Sequence, residues 1–435
     1  MNRPNVLSGF FARVHRGWGV AFACFLAYAV TVGGSQYSFG HFYVPLEEEF
    51  GWTRTEIGLS LSLVALGALV SPFIGSMIDR QGARSIMAGS MLIFGLSYLA
   101  RPMMTEIWHW YALSVVQSFT MIGAAMLPAG KLVGLWFPNN RGKILGMAAM
   151  GNNFGGMAVQ PVVALLISAY SWKLGYTAIG IFGLLVAAYV SFIVKNPTQL
   201  SQSKISDNRV QGPDVTLREA LRTGTFYAIV VSVMCGSFTY SALLPQVSSH
   251  LINNGIPEAT AAIALSLFAT CGMAGKFIFG ILADRYGSKI SMTIDLVGQA
   301  TFAVLLVYAG TELPIWLVVP FMGFFLGAFG ALYQLIVIES FGVRYFGSIM
   351  GVVAVAHAIP SFTGPVIAGL GLFGVAVALG AQDLFKNLIS GIMILTERRF
   401  MIGDVINVNG EAEGTVEQIG FRSTLIRQFD SNIIT

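Results

Sequence analysis

Lys276 lies midway along a predominantly apolar stretch, 257–281, and His357 midway along another, 346–368. An ionisable side chain at the centre of a membrane helix costs about 2.5–3.5 kcal/mol on insertion scales, so each needs a reason. A fixed lysine cation in a low-dielectric cavity favours small anions. The alternative is a lysine snorkelling to the water surface about two turns away. His357 reads as a second polar wall or proton-linked switch, and equally as a core histidine bonded to a carbonyl. Lys131, nearer a helix end, reads as a snorkelling lysine, and Asp295 as a structural partner near the same surface.

A second constellation is repeated. Gly75, Asp79, Arg80, Gly82 and Arg84 recur as Gly280, Asp284, Arg285, Gly287 and Lys289, 205 residues further on. Each set closes an apolar helix, and each helix carries a Leu-Ser-Leu run upstream, at 59–61 and 265–267. Glycine permits close helix approach, aspartate sits against the positive end of a neighbouring helix, and arginine can form ion pairs at the water surface. One copy alone reads as a charged turn. Two copies in corresponding positions mark an internal duplication, which transporters favour.

Gln36, Tyr37, Asn152, Asn153, Tyr240, Tyr333 and Gln334 are polar or amphipathic groups inside the apolar runs, suited to lining a cavity or to bonding between helices. Cys24, Cys235 and Cys271 have neither metal-ligand spacing nor the pattern of a disulfide framework. The sequence carries no nucleotide-binding signature, catalytic triad, metal cluster or nucleic-acid patch. No cofactor, metal, enzymatic chemistry or nucleic-acid partner is expected.

The elements that hold these residues follow from composition. The 435 residues are 55% apolar and 11% charged, with a net charge of +4; an ordinary soluble domain is about 25% charged. No soluble core hides this much apolar surface, so lipid is the solvent. With about 20 apolar residues per crossing, helices are expected near 18–43, 54–77, 84–101, 107–134, 143–168, 174–195, 225–249, 257–281, 289–309, 314–338 and 346–368. Thr53 and Glu56 form a capping box opening the second, and Pro257 suits the first position of the eighth. A polar linker, 196–213, divides the chain, and 216–222 reads as a short amphipathic surface helix. The N-terminal tail, alternate loops and the linker carry about fifteen lysines and arginines. The opposite loops carry about three, Arg54, Arg101 and Lys173. The positive-inside rule then places the N-terminus and the linker in the cytoplasm.

With these motifs the chain resembles the major facilitator superfamily over about 15–368. The paired loop is that family's signature between its second and third helices, echoed between the eighth and ninth. The resemblance implies an all-α polytopic membrane protein with two pseudo-symmetric helix bundles, 1–195 and 223–368, joined by the linker 196–222. It makes the paired-motif residues gating elements rather than substrate ligands. Trp136, Phe137, Pro138, Arg141 and Gly142, with Ser38 to Gly40 and Glu49 to Trp52, are similar to the monocarboxylate and oxalate/formate branch. In that branch a basic residue at the position of Lys276 pairs with the substrate carboxylate. Its monocarboxylate members place an acid one turn earlier, where this chain has Gly272. The implied function is secondary transport by alternating access of a small organic anion such as a monocarboxylate, with a coupling proton or a counter-transported anion. The implied setting is the lipid of the plasma (inner) membrane, both termini cytoplasmic.

From about residue 369 the pattern changes. A glycine/alanine-rich run, 369–380, is interrupted by Gln382, Asp383, Lys386 and Asn387, giving a kinked helix with an amphipathic second half in place of a twelfth spanning helix. Beyond Arg398 the period shifts to short alternating strands, with turn residues at Gly403, Asp404, Asn409 and Gly410. Through 371–380, Gln382, Asp383, 387–391, 400–404, 414–417 and 422–424 this tail resembles the small-conductance mechanosensitive channel family. The resemblance implies a pore-lining helix constricted at Val375 and Leu379, followed by the start of a cytoplasmic β-domain, an incomplete piece of a channel. Two further readings therefore stay open beside the transporter: a mechanosensitive channel subunit, and a non-functional fusion of the two.

Overall fold

Without water, only a helix satisfies every backbone N–H and C=O within its own segment, and the apolar runs fold accordingly. A computed structural model describes residues 6–195, 214–309, 313–361 and 363, and of the tail 403–408, 412–419, 424–428 and 433–434. The chain forms two units, Met1–Val366 and Ile367–Thr435.

In the first unit the rods are α1 (Gly17–Phe50), α2 (Arg54–Ser62 continuing as Val64–Gln81), α3 (Ala83–Met103), α4 (Ile107–Trp136), α5 (Arg141–Ala169) and α6 (Trp172–Ile193). After a short surface helix, Leu217–Ala220, come α7 (Gly224–Leu243), α8 (Glu258–Tyr286), α9 (Ser288–Leu306), α10 (Ile315–Phe341) and α11 (Phe346–Ser361). Among the described residues, nine helices are long and apolar enough to cross a membrane. Phe73, Leu165, Leu185 and Phe192 are each more than 60% exposed, a surface that suits lipid and would be costly in water.

The Thr53 capping box is formed: Glu56 accepts from the Thr53 N–H at 2.8 Å, and the Glu56 N–H donates to the Thr53 hydroxyl at 3.3 Å. Thr216 and Glu219 make the same reciprocal pair at the surface helix, a signal that reading 216–222 for amphipathicity overlooked. Pro257 is the cap of α8 and not its first residue. Several rods are less regular than periodicity predicts. α2 breaks at Leu63. α7 gives way at Pro245 to a tight turn and resumes as Val247–Asn253. α11 is interrupted at Ala356 and His357, so His357 sits in a break rather than mid-helix. α1 and α4 each widen into a π-type segment, Ala29–Gly34 and Ile122–Met126, a feature frequent at functional sites.

Arg101 corrects an expectation. Counted as a loop charge, it is 3% exposed, turned into the N-terminal bundle.

In the second unit, β1 (Val405–Val408), β2 (Ala412–Ile419), β3 (Thr424–Gln428) and β4 (Ile433–Ile434) form one antiparallel sheet in sequence order. Gly403 opens it with φ +100°, and Val416 is buried. The kinked helix expected over 369–395, with Val375 and Leu379, lies outside the described residues.

Candidate functional site

The two motif copies build the same joint twice. Gly82 and Gly287 turn the chain at φ +89° and +91°, a left-handed conformation that glycine adopts without a Cβ penalty. About two helical turns earlier, Gly75 lies against Gly347 of α11, and a Cβ on Gly75 would stand 1.9 Å from the Gly347 carbonyl oxygen. Gly280 lies against Gly142 of α5 in the same way, with a Cβ only 2.4 Å from that carbonyl. Each aspartate then caps the helix its glycine admits. Asp79 accepts from the backbone N–H groups of Gly347 (3.0 Å) and Ser348 (2.7 Å) and from the Ser348 hydroxyl (2.7 Å). Asp284 accepts from the N–H groups of Gly142 (2.6 Å) and Lys143 (2.8 Å). Carboxylates are favoured there because the first turn of a helix presents unpaired N–H groups and the positive end of its dipole.

Both joints tie one half of the molecule to the other at the same end, and they differ in one respect. The Asp79 side chain is 8% exposed and paired with Lys131 at 2.7 Å, whose ammonium also donates to the Arg344 carbonyl. Lys131 therefore bridges the halves instead of snorkelling. Asp284 is exposed. Arg84 donates to the Ser191 carbonyl, tying α3 to α6, and Arg285 lies over the Tyr286 ring. Arg80, Arg285 and Lys289 enter no ion pair among the described residues.

Between the halves lies a polar layer. Lys276 of α8 is 7% exposed, and its ammonium donates to Oδ1 of Asn153 on α5. The Asn153 amide donates in turn to the Ala269 carbonyl, 2.6 Å away. No charged group opposes Lys276 among the described residues. Gly272, one turn earlier, faces Gly323 and Gly327 of α10, so backbone occupies the space that an acidic side chain there would need. His357 shares a 2.5 Å hydrogen bond with the Ser237 hydroxyl through Nδ1, while its Nε2 is buried with no partner. Its ring lies 5.0 Å from that of Tyr333. The Tyr333 hydroxyl donates to the Met126 sulfur at 3.1 Å, and the Gln334 amide to the Tyr28 hydroxyl at 3.0 Å. Met126 closes the π-type segment of α4, and Tyr28 immediately precedes that of α1. Gln36, Tyr37 and Tyr240 are exposed and form no hydrogen bond to this layer.

A pocket inside the N-terminal bundle escaped the sequence reading. It is lined by Ser35, Gln36, Tyr98, Arg101, Gln117 and Tyr176 among others. Arg101 was overlooked because it stands at a helix end, where a basic residue reads as a surface charge; the Tyr and Trp at 98, 110 and 176 that surround it are far apart in sequence. The described residues contain no cluster of three or more histidine, cysteine, aspartate or glutamate side chains able to hold a metal.

Residues 10–365 match the family described as Major Facilitator Superfamily, and residues 383–435 match the β-domain of mechanosensitive ion channels. Monocarboxylate transporter 12 of Mus musculus is 24% identical over 88% of this chain and 86% of its own length. Small-conductance mechanosensitive channel MscMJ of Methanocaldococcus jannaschii is 42% identical over 93 residues, which are 21% of this chain and 26% of the channel. Among solved structures, the proton:xylose symporter XylE bound to 6-bromo-6-deoxy-D-glucose superposes with a TM-score of 0.65 at 13% identity, covering 84% of this chain and 91% of that one.

Proposed function

The chain belongs to the major facilitator superfamily, and from that premise we propose that this multi-pass membrane transporter carries a small organic anion, such as a monocarboxylate, by alternating access. The observation that carries the reading is Lys276: a buried cation between the two halves whose partner is the neutral amide of Asn153. A carboxylate arriving there gains a charge partner without first breaking an ion pair, and charge-assisted hydrogen bonds are roughly twice as strong as neutral ones. The name of the mouse relative supports the same substrate class. His357, with Nε2 unpartnered, and the Tyr333–Gln334 pair form a second polar wall. Asn153 serves as the resting partner of Lys276. Gln36, Tyr37 and Tyr240 stand towards the access route.

The end closed by Asp79 and Asp284 is the one bearing the basic loops, which supports an outward-facing reading with the N-terminus and linker on the cytoplasmic side of the plasma (inner) membrane. Gly75, Gly280 and the two aspartates act as the gate. The coupling partner is a proton or a counter-transported anion.

Uptake of radiolabelled lactate into proteoliposomes tests this. The reading expects saturable, gradient-dependent uptake that Lys276→Gln abolishes while protein abundance in the vesicles is unchanged. Uptake indifferent to Lys276→Gln would remove the assignment. The match of 383–435 to a channel β-domain favours one second reading, a mechanosensitive subunit, and tension-activated unitary currents in patched vesicles would support it. The chain spans about a quarter of the channel it matches, so the transporter reading is preferred.

A further inference from the structure

We infer that the N-terminal bundle holds a second anion site, centred on Arg101 and suited to one small monovalent anion. Arg101 is 3% exposed, its guanidinium stacked 3.9 Å from the Trp110 ring centroid, with Tyr176 at 5.0 Å and Tyr98 at 5.4 Å. One nitrogen, Nη2, is satisfied: it donates to the Ser114 hydroxyl at 3.0 Å and to the Gln117 carbonyl oxygen at 2.7 Å. The other two, Nε and Nη1, are buried with no acceptor. The Gln117 amide nitrogen is likewise buried and unpartnered, and the buried Tyr176 hydroxyl has only the Arg101 side chain beside it.

These groups gather at one pocket whose lining contains no aspartate or glutamate. The Ser60 and Ser114 hydroxyls donate to carbonyls of their own helices, at 2.7 Å each, and Ser114 also accepts from the guanidinium. Two guanidinium nitrogens and one amide nitrogen remain as unmet donors around a positive charge with no acidic side chain in the lining. A buried charge is stable when paired and hydrogen-bonded, and leaving donors unmet adds to its cost. The aromatic faces moderate that cost through cation–π attraction, yet they accept no hydrogen bond in the guanidinium plane. An anion supplies both the acceptor and the opposite charge. The aromatic walls limit it to a small one, a halide or the carboxylate of a short acid. The site stands on α1, α3, α4 and α6, so it is independent of the Lys276 reading.

The test is thermal unfolding of the full chain in detergent, titrated with sodium bromide or sodium acetate against a sodium gluconate background at constant ionic strength. The wild type should show a saturable rise in Tm, and Lys276→Gln should keep it. Arg101→Gln should lose it. Tyr176→Phe, which deletes the hydroxyl beside Arg101 and keeps the cage, should raise the half-saturating concentration about 3–10-fold, as the loss of one hydrogen bond implies; this variant decides the matter if Arg101→Gln does not fold. Saturation by bromide alone assigns the site to inorganic halides, and by acetate to carboxylates; either upholds it. The inference is overturned by a wild type with no saturable rise, or by a rise lost in Lys276→Gln and unchanged in Tyr176→Phe.

Discussion

Lys276 donates to an amide rather than a carboxylate, and that choice of partner decides what the residue can do. A salt bridge would have to break before substrate could bind, whereas an amide can yield its place. Lys276→Arg should therefore retain uptake with an altered KM, because charge persists while a planar fork replaces a point charge. Asn153→Leu should strand the ammonium and lower the yield of folded protein, since a buried charge left unpaired costs about 3–5 kcal/mol; Tm and membrane abundance check it. Lys276 was legible because a cation in an apolar run is conspicuous. Its partner was visible only as one polar residue among several. Lys131 was misread: distance from the helix end suggested snorkelling, and only the three-dimensional approach of Asp79 at 2.7 Å shows what holds it. Arg101 was misread for the opposite reason, since its position in the chain is that of a loop charge.

The joints belong to elements rather than to single side chains. At each, a glycine admits a neighbouring helix and an aspartate one turn later caps that helix. The design predicts graded effects. Gly75→Val places carbon where the Gly347 carbonyl lies, so α2 and α11 must part and the closed end should open. A cysteine introduced at Ser348 should then react faster with a membrane-impermeant maleimide in inside-out vesicles; an unchanged rate would count against the joint. Asp79→Asn should weaken closure more than Asp284→Asn, by about 3 kcal/mol against about 1 kcal/mol, because the Asp79 side chain is 8% exposed and paired with Lys131, and Asp284 meets water. The same labelling rates measure the difference. At this scale the sequence was informative about existence and order of rods. It was silent about their defects: the break at His357 and the π-type segments of α1 and α4 arise from packing between helices, which periodicity does not encode.

Across the whole molecule, the duplication seen as two short motifs is a duplication of geometry, down to the matching backbone of Gly82 and Gly287. The superfamily was therefore readable from ten residues, and the match over 10–365 agrees with it. The tail was readable as channel-like, and the match over 383–435 agrees with it. The proposed alternating access requires a second arrangement, joined at the other end, with Lys276 between the halves. Distances between spin labels test this most directly, in a background with Cys24, Cys235 and Cys271 replaced by alanine. One pair, Lys143→Cys with Tyr286→Cys, spans the halves at the closed end; the other, Trp108→Cys with Trp316→Cys, spans them at the opposite end. Saturating lactate should lengthen the first distance and shorten the second in the same sample. Two distances that stay fixed while uptake proceeds would contradict the account.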